Sequence, residues 1–506
     1  MKKLIFSTLI LCSLLFAACE KELDQAPISD ASSARFYEKQ SDFVQAVNAT
    51  YASLRAYPDR QLNLSETRSD NLYAVSDGGV RDWEGINSFH RTIASNPYIT
   101  EAWSENFNGV FKANTVLDQI EKNGSIIGDE SLKTRLQAES RFLRAFFYFD
   151  LIRWFGELPI IDRPMLADEA NTIGRSPVAD VYNFIISDLQ SAQENLPEQY
   201  AAADKGRATK FAAKGLLALV HMTRSGPDYG IKGPCLGLNE WSNALALLNE
   251  IISSGKYGFL TSAGTSTSAY SNIFSYTNEG NSEVIFDVQY INGSNPVLGA
   301  TFPWVLVPDT WFQSLGKTTQ GGLTIRPVSN DLLNSYEASD LRRNFSIQTG
   351  FTFNGSTETR SFFKKYVDLT RVPTNNRLDW PINFIVQRYT DILMLKAECI
   401  LHGAAGTQAE VDAIVNQVRQ RAGLTPLASI TLAQLMEERR KEFAAEGGRW
   451  HDLVRSGFVE TKIPAWIAAE DVQKQMQSFI KEYIIYPIPQ SQLDVRQGLY
   501  TQNSGY

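Results

Sequence analysis

The chain has 506 residues, 43% hydrophobic, 21% charged and 11% aromatic, which is enough apolar material for a large core and excludes a disordered or collagen-like polymer. Forty-eight Lys and Arg against 56 Asp and Glu give a net charge of −8, with no long basic run, so the composition argues against a nucleic-acid partner. Four Cys and four His, with no paired C-x-x-C spacing, are too few for a disulfide scaffold and point away from a metalloenzyme.

Lys2 and Lys3, the apolar stretch Leu4 to Phe16 and the small pair Ala17-Ala18 predict a secretory signal over residues 1–18, too short to span a bilayer. The segment ends Leu-Phe-Ala-Ala-Cys and resembles a bacterial lipoprotein box, with Phe16 where Leu is usual; the resemblance implies that the Cys19 thiol is acylated. Each buried methylene contributes about 0.8 kcal/mol, so several acyl chains make a permanent membrane anchor. Loss of Lys2 and Lys3 with the signal leaves 46 basic and 56 acidic groups, a net charge of −10. Residues 19–33 read as a tether, and the acidic run Glu20 to Asp24 is similar to the surface-export signal of Bacteroidota lipoproteins.

Residues 34–506 are expected to form a single domain, with a helical scaffold over about 34–254 and 381–460. Phe43, Val47, Tyr51 and Leu54 predict a first amphipathic helix, with Ser41 as its N-cap. Trp103, Phe107, Val110, Phe111, Leu117 and Ile120 predict a second, ended by Asn123-Gly124. A third spans 131–155, apolar enough to be mostly buried and stopped by Gly156 and Pro159. Pro177 opens a fourth helix carrying Val181, Ile185 and Leu189. Residues 208–224 with 239–254, and 384–402 with 408–422, look like tetratricopeptide helix pairs, with small residues such as Ala212 and Gly215 admitting a close neighbour.

Between about 255 and 380 the composition changes to Gly, Ser, Thr and Asn with scattered aromatic residues, and only Glu283 to Tyr290 alternates like a strand. Tyr270, Phe274, Phe302, Trp304 and Trp311 argue against disorder here, so this loop-rich insertion reads as a binding surface. No nucleotide-binding or hydrolase motif occurs, and His90, His221, His402 and His451 are too dispersed for an acid–base set. No catalytic residue, cofactor or metal ligand is assigned. Cys235 and Cys399 are equally compatible with a disulfide and with free thiols. The charge alternation over Glu437 to Gly457 predicts an ion-pair network locking a helix end, with Arg439, Phe443 and Glu446 on one helical face.

The string E-R-R-x-E-F-x-x-E-G-x-R-W-x-D-L-x-R-x-G at 438–457 resembles the C-terminal signature of the SusD/RagB family of outer-membrane nutrient-binding lipoproteins. Residues 141–159, 208–219, 388–398 and Tyr-Pro-Ile-Pro at 486–489 agree in order. The resemblance implies a mostly α fold with tetratricopeptide-like helix pairs, no catalysis, and a role as the surface lid of a SusC-like TonB-dependent outer-membrane transporter. It also implies a glycan ligand or, as in some relatives, an oligopeptide. A surface hydrolase and a peptide-binding assembly protein are the rival readings.

Sugars present hydroxyl edges and apolar C–H faces, so exposed aromatic planes beside amides and charges suit them. Two stretches meet that description: Asp70, Asn71, Tyr73, Arg81 and Trp83 before the second helix, and Trp304 and Trp311 in the insertion. Trp103, Trp154 and Trp241 are read as core from their helical register.

Overall fold

The computed structural model describes residues 36–75, 81–317, 322–373 and 378–506; the expected signal, Cys19 and the expected tether lie outside them. Eleven helices of eight residues or more run through the described residues: α1 Gln40–Ala52, α2 Pro97–Asn123, α3 Glu130–Phe155, α4 Val178–Asn195, α5 Lys210–Ser225, α6 Trp241–Ser253, α7 Tyr389–Leu401, α8 Gln408–Arg421, α9 Leu432–Glu442, α10 Arg449–Ser456 and α11 Val459–Glu470. From α1 to α8 each helix packs against the next, and α6 meets α7 directly although some 135 residues separate them in the chain. The insertion therefore loops out of the helical array without interrupting it.

Local chemistry explains the helix ends. The Asn96 side chain accepts from the Tyr98 amide to start α2, with Pro97 at its first position, and Asp129 accepts from the Ser131 and Leu132 amides to start α3. Gly156, at φ +70°, ends α3 where a Cβ would lie 1.8 Å from the Lys232 carbonyl oxygen, so only glycine fits. The α2–α3 contact depends on Gly109, whose missing side chain leaves room for the Phe147 ring. Trp103, Trp154 and Trp241 are all buried, as their register predicts. Two local expectations differ. Helix α1 starts one residue before Ser41, with the Asp42 carboxylate accepting from the Lys39 amide at 3.0 Å. Phe111 is 51% exposed, because α2 turns that face outward.

Among the described residues, four strands form two antiparallel pairs. Strand β1 (Val284–Val288) pairs with β4 (Phe384–Arg388), so the expected helix over 384–402 begins as a strand and becomes helical only at Tyr389. The five residues Phe-Ile-Val-Gln-Arg are too short a segment for a period to separate the two forms. Strands β2 (Ile347–Phe353) and β3 (Ser356–Phe363) form a hairpin through Asn354 and Gly355, both at positive φ as the tight primed turn requires. The aromatic residues of the insertion fill its interior: Trp304 stacks on Phe312 at 4.4 Å, Trp311 meets Phe362, and Phe302 bridges Tyr366 and Phe384. A region with little regular structure needs large rings to exclude water from its centre.

The charged string near the C-terminus is buried. Glu442 is held by Arg342, Arg388 and Arg421; Glu446 by Arg388 and Lys365; Arg455 by Glu398 and Asp452. Helix α9 stops at Glu442, and positive φ at Ala445 and Gly447 turns the chain. Arg439, Phe443 and Glu446 therefore do not share one helical face: Arg439 lies over the Phe443 ring and pairs with Asp452 and Asp391 instead. The network joins α7 to α10 and the insertion, and each of these buried charges has an ion-pair partner, without which its burial would be strongly destabilising. Burial opposes ionisation of Glu442, but its three guanidinium neighbours override that and hold it well below the usual carboxylate range.

Candidate functional site: a groove headed by Tyr73

The loop at 70–75 is held from below by this network. Arg449 grips Asp70 with two hydrogen bonds of 2.8 Å, and Arg440 donates to the Asn71 side chain and to the Asp70 carbonyl. The Ser329 amide and hydroxyl donate to the Asn71 and Asp70 carbonyls, and the Tyr73 amide donates to the Pro327 carbonyl. Asp70 and Asn71 are 1% and 0% exposed, so the structure places them under the loop, out of a ligand's reach. Burial would raise the Asp70 pKa, yet Arg440 and Arg449 force it far below the ordinary aspartate value.

The remaining candidates divide by burial. Trp83 is buried with the Arg326 guanidinium 4.2 Å above its ring, and Trp304 and Trp311 belong to the aromatic interior. These three indoles cannot stack on a ligand. Arg81 is exposed at the start of the short helix Asp82–Asn87, and Tyr73 is half-buried. Only these two of the seven reach the surface.

Tyr73 borders a groove of about 450 Å³ between the 70s loop, residues 327–333, the β2–β3 hairpin and the segment after α11. Its hydroxyl donates to Asp471 at 2.8 Å, and Asp471 also accepts from the Gln475 and Met476 amides. Burial and then this bond push the phenol well above its ordinary range, so it stays protonated. The ring is thereby fixed in position. Glu470 accepts from the Asn330 amide and side chain, tying the opposite wall. Thr349 and Thr359 from the hairpin, with Asn330, Gln473 and Gln475, give exposed hydroxyls and amides; Val75 and Val472, the latter 84% exposed, give apolar surface. Such a wall can stack a ring face and hydrogen-bond a rim of hydroxyls. The hairpin's share went unread in the sequence, although Asn354-Gly355 between alternating residues is its signal.

The histidines are separated in space. His402 stacks on Trp241 at 3.8 Å, His451 packs half-buried against Trp154, His221 bonds Glu240 and His90 is exposed. Cys235 and Cys399 are both buried free thiols.

Two family models match: the SusD family over residues 348–506, and a SusD-like family described as starch-binding and associating with the outer membrane over residues 23–222. A SusD-like protein of Bacteroides ovatus is 30% identical over 475 residues, covering 87% of this chain and 80% of that protein. A SusD-like protein of Formosa agariphila is 26% identical across 97% of both chains. Among solved structures, surface glycan-binding protein A from Bacteroides thetaiotaomicron in complex with laminarihexaose superimposes with a TM-score of 0.77 at 24% identity, covering 92% of this chain and all of that one. A laminarin-binding SusD-like protein gives 0.73 at 26% identity, covering 93% and 100%. With both ends of its sequence matched by family models and most of its length matched by a relative at 30% identity, this chain belongs to the SusD-like family.

Proposed function

We propose that the protein captures glycans at the cell surface through the Tyr73 groove and delivers them, as a lid, to a SusC-like TonB-dependent outer-membrane transporter. The observation that carries the ligand class is the groove wall: one tyrosine ring fixed through Asp471, beside exposed threonine hydroxyls and amides. This is the pairing of apolar plane and polar rim that a sugar ring needs. The laminarin-binding relative, 26% identical, supports a polysaccharide over a peptide. Acylation at Cys19 holds the body at the outer membrane, facing the exterior, and keeps it concentrated at the transporter mouth. Of the seven candidates, Tyr73 is the ligand contact this reading retains; Arg81, though exposed, does not line the groove.

The test is binding of the full chain to a panel of polysaccharides, oligosaccharides and peptides, with product analysis of each mixture. Saturable binding of a glycan without turnover is the expected result. Turnover, or binding confined to peptides, overturns the reading. The lid role is tested separately, by co-purification of the lipidated chain with an outer-membrane β-barrel from its native membrane.

A further inference from the structure

A second concavity shares no lining residue with the Tyr73 groove. It has two chambers, about 620 and 250 Å³, which share the segment Lys205-Gly206-Arg207 with Asp287 and Gln289. The larger lies within the size range of small-molecule sites, about 300–1,000 Å³. Gly206, at φ +97°, forms the divide: a Cβ there would lie 2.3 Å from the Gln289 amide carbon, so glycine is what brings the 205–207 backbone against the Gln289 side chain.

The charge pattern of this cleft is unusual for an acidic protein. Arg207 is fully engaged, with Glu139, Asp204 and Asn48 each 2.7–2.8 Å from its guanidinium. Arg55 and Lys205 are different. Among the described residues neither side chain makes a hydrogen bond or an ion pair, in a chain where most buried and many surface cations do. Lys205 is exposed, and its ammonium lies against Gly280 at positive φ, where a Cβ would be 2.5 Å away. Two carboxylates line the larger chamber: Asp204 is paired with Arg207 and Arg135, and Asp287 is buried and hydrogen-bonded by Gln289 and Asn383, with burial pushing its pKa up to about 6.

The other walls carry rings fixed by their hydroxyls. Tyr51 accepts from the Ala208 amide at 2.9 Å, and Tyr290 donates to the Arg55 carbonyl at 2.5 Å; both rings are half-buried. Ile291, exposed, and Leu298 add apolar surface. Two uncommitted cations, amides and anchored rings make a wall for a ligand that is at once anionic and ring-shaped. We propose that this cleft is a second saccharide site that takes an anionic sugar, bearing a carboxylate or sulfate, with the anionic group held between Arg55 and Lys205.

The test measures binding of three probes to the full chain at low and high salt: an oligogalacturonate, a sulfated galactan oligosaccharide and an oligoglutamate peptide. The expected result is binding of at least one anionic saccharide, weakened by salt, and weakened at least tenfold by Arg55→Ala and by Lys205→Ala. Both side chains reach solvent and lack partners, so both variants should melt as the parent does. Binding of the carboxylated probe alone or of the sulfated probe alone identifies the anion. Tyr73→Ala should leave this binding intact, so the cleft and the groove can fail independently. The proposal is overturned if neither anionic saccharide binds, if both substitutions are without effect, or if the peptide binds as tightly as the sugars.

Discussion

Arg449, at the start of α10, closes a two-pronged bridge onto Asp70, Nε to Oδ1 and Nη2 to Oδ2, both at 2.8 Å. The bridge joins positions 379 residues apart, and the loop it holds presents Tyr73 three residues later. The string of charges near the C-terminus thus supports the Tyr73 groove from underneath.

Removing one partner of this buried pair leaves the other uncompensated. Arg449→Ala or Asp70→Ala should cost about 3–5 kcal/mol of stability. Denaturant unfolding reads that loss. A cost under about 1 kcal/mol would show that the bridge does not hold the loop.

Tyr73→Ala should lower affinity for the glycan that the full chain binds by about tenfold or more, about 1.4 kcal/mol. Tyr73→Phe keeps the ring and loses only the bond to Asp471, so it should retain most of the affinity. Calorimetric titration separates the two. Equal losses would mean that the ring stacks on the sugar only while its hydroxyl is held by Asp471.

Acid should act on the fold in two opposite ways. Burial alone would raise Asp452, but Arg439 and Arg455 hold it at about 2. Its contribution is complete above about pH 4 and disappears as pH falls through about 2. Asp287 lies on the other side: burial raises it to about 6, so the folded chain takes up that proton before the unfolded chain does. That group adds stability as pH falls from about 7 to about 4. The gain between about pH 7 and pH 5 should be smaller in Asp287→Asn than in the parent, by unfolding at each pH. The cost of Asp452→Asn should instead shrink toward about pH 2.

At the α2–α3 crossing a Cβ on Gly109 would lie 2.4 Å from the Phe147 ring. Gly109→Ala favours the isolated helix by about 1 kcal/mol but forces the two helices apart, a cost of about 1–3 kcal/mol or more. A lower melting temperature is expected. Phe147→Leu should partly restore it by vacating the ring's space, and an unchanged melting temperature in the single variant would contradict the close approach.

Burial raises both thiols, Cys235 to about 12 and Cys399 well above its ordinary value. Native protein should leave the peptides containing these residues unlabelled by iodoacetamide, and unfolding should expose both. Rapid labelling of the folded protein would place either sulfur nearer the surface.

The helical half of the molecule was legible because its information is local. Asn123-Gly124, Gly156 and Pro177 mark the end of α2, the end of α3 and the start of α4 to within a residue or two, although α2 begins at Pro97, six residues before its first periodic residue Trp103; the same register assigned Trp103, Trp154 and Trp241 to the core. The acidic charge and the family resemblance also needed nothing beyond the order of residues. The ligand candidates required more. Asp70, Asn71 and Trp83 sit in a polar, loop-like stretch that looks exposed, and their burial depends on Arg449, Arg440 and Arg326, hundreds of residues away. Trp304 and Trp311 look like surface aromatics in a glycine-rich insertion until the β2–β3 hairpin and Phe312 close over them. A period of two or 3.6 residues reports which face of one element is apolar; whether a charge or a ring meets solvent is decided by a distant partner, which only the folded chain supplies.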